Sequence, residues 1–547
     1  MTSMNNNSTI IGRKDFFFID YNTDLFLTIA KGYFSMNING CLHKLLDVFT
    51  NGFYLLFFII SSGIVLLQIS LFGIYSVTVA CRIFLMLLFL TLFTDFITIR
   101  YNIKISTVYK VFALGIFIVI LSYISCCMTF SLPSDTQILY DSAVALVKHG
   151  TLDIPYDYSV FYPNLGFHTL SDYYCRYPNN IAMLFILTAI YSIGNLFGID
   201  PSSFSGQSFA VFVTAVSVAI AVHFLCKSAE LIFNNKNVYF KCLFLNIIFL
   251  SYYYSCPNFY TDVWILFPLC LGFYYAVKFY LTKNNKYIVL CSLSWAIGSQ
   301  LKITVVIALI AFCIFIIFEK ETFFKNKLIS LLYLATPFTL FIIAFHAWYN
   351  HCSIFDFSRY EELYYPFTVW ISYGSHGIGG YHYEDSLLAY HTPFNMRGQV
   401  MIDHIKTIFL SYTPAEYMQF LKNKLSFIWG DGLFEGGIYA QWSLFQNWTN
   451  RLTNPICREY ALSKLWADSY TLILTICGSI ASLIQIKKKD NPWLLFINVL
   501  ITGFILYLCI FEAAPRRAIP AMLFFMLDTI YILNKISNYI LQKLHLT

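Results

Sequence analysis

Apolar runs of membrane-crossing length recur along this chain, and that recurrence limits its fold more than any other feature. A helix needs about 20 apolar residues to cross the hydrocarbon core. Runs of that order lie near 53–72, 77–99, 108–130, 180–198, 207–226, 239–257, 259–281, 287–300, 303–318, 328–349, 467–486, 493–511 and 517–534. Lipid offers backbone groups no hydrogen-bonding partner, so each run has to close its own bonds as a helix. Of 547 residues, 58% are hydrophobic and only 12% charged, whereas a water-soluble domain carries about 25% charged residues. The expected fold is all-α: a polytopic membrane protein with about 12 transmembrane helices plus juxtamembrane helices.

Basic residues fix the expected orientation, because Lys and Arg concentrate in cytoplasmic loops. They cluster in Arg100–Lys110, Lys227–Lys241, Lys278–Lys286, Lys320–Lys327, Lys487–Lys489 and the tail Lys535–His545. Keeping all of these on one side requires an even number of crossings between Lys110 and Lys227, yet three apolar runs occupy that interval. The run 180–198, opened by Pro178-Asn179-Asn180, is therefore expected to lie along or dip into the outer interface. The two short runs around Gln300-Leu301-Lys302 read as a tight hairpin of tilted helices. The resulting division is a cytoplasmic N-terminal segment (1–52), a transmembrane module (53–349) with a first outer loop (131–177), a large extracytoplasmic loop (350–465), and C-terminal helices with a cytoplasmic tail (466–547). Residues 1–51 carry Arg13, Lys14, Lys31 and Lys44 and lack a small-residue cleavage site, so no signal peptide is read there.

The net charge of +6 is scattered over loops, whereas a nucleic-acid surface needs a clustered stripe. The cysteines include no C-x-x-C spacing and many sit inside apolar runs, where they act as small hydrophobes. Pairing among Cys175, Cys352 and Cys457 stays open.

Several polar motifs flank the runs. Ser134 and Gln137 have the spacing of a capping box after Pro133, which predicts a helix running toward Gly150. Asp135 falls in its first turn, where it either complements the helix dipole or faces the mouth of the membrane domain. Asp141, six residues on, is rotated by about 240° and cannot easily share a pocket with it. Arg176, between aromatic residues, either binds a phosphate or snorkels. Asp262 sits at the outer edge of a crossing, and Lys302 lies between two apolar runs with no neighbouring charge. Buried charges at membrane depth are costly and usually functional. Arg516 and Arg517 follow Glu512 on the outer side, where positive residues are under-represented; a lipid phosphate would explain them, and pairing with Glu512 or Asp262 is the alternative.

The large loop holds Tyr373-Gly374-Ser375-His376-Gly377-Ile378-Gly379-Gly380-Tyr381-His382-Tyr383-Glu384-Asp385, a glycine-rich stretch suited to substrate binding or gating. His382, Glu384, Asp385 and His391 invite a divalent-metal reading, but their spacing matches no strong ligand pattern, so no metal ligand and no definite cofactor is assigned. Trp429-Gly430-Asp431-Gly432 and exposed aromatics suit sugar or lipid stacking.

In their order and expected sidedness, Ser134-Asp135, Tyr177-Pro178-Asn179-Asn180, Tyr260-Thr261-Asp262, Leu301-Lys302, Gly379-Gly380-Tyr381 with Glu384-Asp385, and Glu512…Arg516 before Ile519-Pro520 resemble the GT-C superfamily of membrane glycosyltransferases. The similarity is greatest to the bacterial branch containing protein mannosyltransferases and lipid A aminoarabinose transferases. That resemblance implies a GT-C-like fold, an active site facing outward from the bacterial cytoplasmic membrane, and a polyprenyl-phosphate-linked sugar donor. The acceptor would be a glycan, lipid or protein, and transfer would invert the anomeric centre. It assigns Asp135 as the catalytic base, Arg176, Lys302, Arg516 and Arg517 to the donor phosphate, and Asp262, Tyr381, Glu384 and Asp385 to substrate binding or a second acidic site. The chain departs from the family in reading Ser-Asp-Thr where an Asp-Glu pair is frequent. Two rival classes are a lipid-linked glycan transporter or flippase, which needs charge buried mid-helix such as Asp95 or Gln68, and a polysaccharide polymerase or ligase leaning on Arg359, Arg397 and His404.

Overall fold

The structure is a computed structural model that describes residues 20–101, 106–319, 324–444 and 447–545, with side chains described from residue 44 onward except at Phe324. It divides into two compact units, Met1–Gly52 and Phe53–Thr547, and the side-chain contacts described below lie within the second.

Helix α1 (Asp20–Arg100) is interrupted at Gly73, whose φ of 76° and ψ of 177° are open in practice only to glycine. The break turns one apolar run into two passes. Before it, Tyr54, Ser61 and Gln68 bond in turn to Ser482, Ser479 and Thr475, so this half runs antiparallel to a C-terminal helix. After it, Asp95 meets Lys241 and Ser537 at the other end of the bundle.

Helix α2 (Thr107–Cys127) is followed by α3 (Ser134–His149), α4 (Leu170–Arg176) and α5 (Ile181–Leu196) before α6 (Phe204–Ile232). Lys110 pairs with Glu230 at 2.7 Å at one end of the α2–α6 pair, and Gln207 donates to the Phe130 carbonyl at 2.8 Å at the other. These two helices are therefore antiparallel neighbours, and the chain between Phe130 and Ser203 leaves and returns on one side. Helix α5 has the length and hydropathy of a span and packs along α3.

The next pass is broken into α7 (Asn237–Ile247), α8 (Ser251–Ser255) and a 3-10 turn ending at Asn258. Helices α9 (Thr261–Trp264) and α10 (Leu266–Thr282) return, followed by α11 (Asn285–Leu301), α12 (Val306–Phe318) and α13 (Phe324–Asn350). The large loop folds as α14 (Tyr360–Leu363), α15 (Thr368–Tyr373), α16 (Tyr383–His391), α17 (Phe394–Ser411), α18 (Pro414–Trp429), α19 (Gly436–Tyr439) and α20 (Asn450–Thr453). Three long helices close the bundle: α21 (Arg458–Lys488), α22 (Trp493–Ile510) and α23 (Ile519–Lys543).

Among the described residues, nine helices are long and apolar enough to cross a membrane, and two shorter apolar ones lie at Val238–Ile247 and Ile303–Phe318. The segments 131–203, 350–457 and 511–518 gather at one end. The described basic residues Lys227, Lys283, Lys487 and Lys535 lie at the other, where Lys283 pairs with Glu319 and Lys535 with Asp490. The fold is all-α and polytopic. Cys175, Cys352 and Cys457 are free thiols.

Candidate active site

The first outer helix places the central carboxylate. Pro133, extended at φ −70° and ψ 161°, stops the incoming chain, and α3 starts at Ser134 with Asp135 in its first turn. The capping box expected from Ser134 and Gln137 does not form. Gln137 instead donates to Asp141 at 2.9 Å, because residues four apart share a helix face. Asp141 also accepts from Tyr156 at 2.7 Å and faces away from Asp135, as the helical rotation requires. The start of α3 is tied to the broken pass by Thr136, which donates to Asn258 at 2.8 Å. That bond sets Asp135 beside Tyr260.

One carboxylate oxygen of Asp135 is saturated. Oδ1 accepts from the hydroxyls of Tyr162 at 2.5 Å and Tyr173 at 2.9 Å, while Oδ2 has a single long contact to Tyr260 at 3.3 Å. Asn180 braces the set by donating to the Tyr173 oxygen at 2.6 Å. Burial and the adjacent Asp135 charge push the Tyr162 and Tyr173 phenols well above the ordinary tyrosine range, so both remain donors. Asp135 has no cationic partner among the described residues; phenols alone orient it, and Oδ2 is its open acceptor.

The cations stand across the same cavity. Lys302 breaks the chain between α11 and α12 in an extended conformation (φ −159°, ψ 127°), and its ammonium reaches the buried Asp262. Arg516 also bonds Asp262, through Nε at 3.0 Å, and it pairs with Glu435 and bonds Tyr439 at 2.9 Å. Arg517 is held by Glu512 through the backbone carbonyl at 2.6 Å and the carboxylate at 2.7 Å. The two pairings foreseen as structural alternatives for the arginines are thus both present. Donors remain: Arg516 uses Nε and one terminal nitrogen, and the buried Arg517 Nε has no partner. Asp135, Lys302, Arg516, Arg517 and Tyr381 all line one cavity of about 580 Å³.

Other expected site residues lie elsewhere. Arg176 is fully buried behind the cavity, with its guanidinium 4.1 Å from the Phe167 ring and 4.2 Å from that of Tyr365, and it donates to the carbonyls of Leu363 and Leu165. It is outside the cavity lining and sealed from it, so a phosphate in the cavity does not reach it, and one terminal nitrogen has no partner. Glu384 is exposed and outside the cavity lining. Asp385 is buried beneath the glycine-rich loop, bonded to Ser372 at 2.6 Å, His376 at 2.9 Å and His404 at 3.2 Å. Burial opposes its charge, yet the bonds from His376 and Ser372 hold this carboxyl down at about 2. His391 is exposed and takes no part in that cluster. Trp429 is buried and unavailable for stacking on a sugar.

The polymerase-type residues are also engaged. Arg359 bonds Asp172 and Glu362, and Arg397 donates to the carbonyls of Tyr364, Glu362 and Thr392. Tyr162, Tyr173, Glu435 and Tyr439 went unread in the sequence. Their signal was slight, since a chain with 41 tyrosines gives no reason to single out three.

Residues 202–349, from the start of α6 to the end of α13, match the family described as dolichyl-phosphate-mannose-protein mannosyltransferase. The matched stretch contains Tyr260, Asp262 and Lys302 and excludes Asp135 and Arg516. Over those residues the chain is similar to that family. Among solved structures, it is similar to the archaeal oligosaccharyltransferase AglB from Archaeoglobus fulgidus, determined with an inhibitory peptide and a dolichol-phosphate, at 11% identity and a TM-score of 0.40. That likeness covers 81% of this chain and 52% of the other, so the present chain spans about half the length of its neighbour. No curated protein matches the sequence.

Proposed function

We propose that this protein transfers a sugar from a polyprenyl-phosphate donor to a hydroxyl-bearing acceptor outside the cytoplasm, with inversion at the anomeric carbon. The observation that carries the reading is the shared cavity: a carboxylate oriented only by neutral donors faces Lys302, Arg516 and Arg517. Asp135 Oδ2 takes the acceptor hydroxyl proton as that oxygen bonds to the anomeric carbon. The bond from the anomeric carbon to the phosphate oxygen breaks, and the departing charge falls on the three cations. Lys302 has three N–H donors and spends one on Asp262, so it can share a phosphate without leaving its partner. Asp262, Glu435 and Glu512 position the cations and are not themselves reactive. Tyr381 and the loop around it wall the site against water.

Sidedness supports an outward-facing site. The cavity opens at the end of the bundle away from the basic loops, which the positive-inside rule puts in the cytoplasm. The matched family is named for a lipid-phosphate sugar, which agrees with the donor class. The test is transfer of labelled sugar from a polyprenyl-phosphate donor in proteoliposomes, combined with impermeant labelling of a cysteine placed at the exposed Val160. Absence of transfer, or labelling of that position only from the cytoplasmic side, would refute the proposal.

A further inference from the structure

Beside the cavity, three imidazoles converge on one buried carboxylate. His376 Nε2 lies 2.9 Å from Asp385 Oδ2, His404 Nε2 lies 3.2 Å from Oδ1, and His382 Nδ1 lies 3.3 Å from Oδ1. The ligand atoms of His376, Asp385 and His404 all fall within 4.8 Å of one another. The rings of His376 and His382 have centroids only 4.1 Å apart. We propose that His376, His404 and Asp385 bind one divalent transition-metal ion, zinc by donor preference, which clips the glycine-rich loop to α17.

One carboxylate is already served by His376 and by the Ser372 hydroxyl at 2.6 Å. His382 Nδ1 is sealed from water and makes no hydrogen bond despite its proximity to Asp385. Donors about 2.0–2.1 Å from a tetrahedral zinc lie roughly 3.3 Å apart, close to the separations between carboxylate and imidazole here. Two nitrogens and one oxygen select against calcium and magnesium, which prefer all-oxygen shells. The Ser372 hydroxyl fixes the carboxylate as the groups behind metal ligands usually do.

The position gives the ion a purpose. His376 and His382 bracket Gly377 and Gly379, whose φ angles of 63° and 76° require glycine. Gly379 accepts from the Ala513 N–H at 2.6 Å, next to the arginine pair. A clip from this loop to His404 on α17 would hold the cavity wall at Ile378, Gly380 and Tyr381 in place. This consequence for transfer rests on the proposed function; occupancy by metal does not.

The experiment uses the full chain purified in detergent, equilibrated with zinc and freed of excess, with metal counted by mass spectrometry. Roughly one zinc per chain is expected, with at least tenfold weaker binding in His404→Gln and Asp385→Asn. Chelation should lower the melting temperature of the natural chain and not of the variants. Cobalt(II) added to the chelated natural chain should give the visible bands of a tetrahedral site, a readout that needs no variant. A natural chain that binds neither metal, or variants that bind as tightly as it does, would overturn the inference while leaving the transfer reading standing.

Discussion

Replacing Asp135 by Asn isolates the proton-accepting step, because the structure lets the amide keep most of the carboxylate's contacts. The amide oxygen can occupy the Oδ1 position and still accept from Tyr162 and Tyr173, now 2.5 and 2.9 Å away. The NH2 then replaces Oδ2 and can donate to the Tyr260 oxygen at 3.3 Å. Two charge-assisted bonds become neutral ones at about 1 kcal/mol each, so local stability should fall by no more than about 2 kcal/mol. A general base contributes on the order of 10²–10⁴ in rate, equivalent to about 3–5 kcal/mol of barrier. The assay is initial-rate sugar transfer in proteoliposomes, run beside a melting curve and a donor saturation series. Rates down by about 10²-fold or more, at unchanged donor KM and with a folded protein, are expected. A folded variant that keeps above roughly a tenth of natural activity would fall outside that range and remove Asp135 from the chemistry.

Arg517→Ala should raise the donor KM by about tenfold or more, the scale of a lost charge-assisted bond, with a smaller effect on kcat; an unchanged KM in saturation kinetics would exclude Arg517 from phosphate binding. Arg176→Lys should behave in the opposite way: the melting temperature drops, by about 2–3 kcal/mol of stability, because two carbonyls and two ring faces lose their fitted guanidinium. Its donor KM should stay the same, and a raised KM with normal stability would restore Arg176 to the site.

Most of the fold was legible because lipid removes alternatives: an apolar run of the right length must be a helix. Asp135, Lys302, Arg516 and Arg517 were visible as charges at membrane boundaries, where they are rare enough to need a reason. The errors share a cause. Arg176 was judged by its immediate neighbours, but Leu363 and Tyr365, which trap it, are 187 and 189 positions away. Glu435 reaches Arg516 across 81 positions, and His404 meets Asp385 from a separate helix. Such partners are set by packing and leave no local pattern. Of the residues that invited a metal reading, Glu384 and His391 are exposed, while His376 and His404, which drew none, both reach Asp385.

The most direct test of the central claim is a structure of the full chain with a non-hydrolysable polyprenyl-phosphate sugar bound. The phosphate should lie within hydrogen-bonding distance of Arg517 and of Lys302 or Arg516, with the anomeric carbon turned toward Asp135 Oδ2. A donor phosphate seated elsewhere, with the Asp135 cavity empty, would contradict the account.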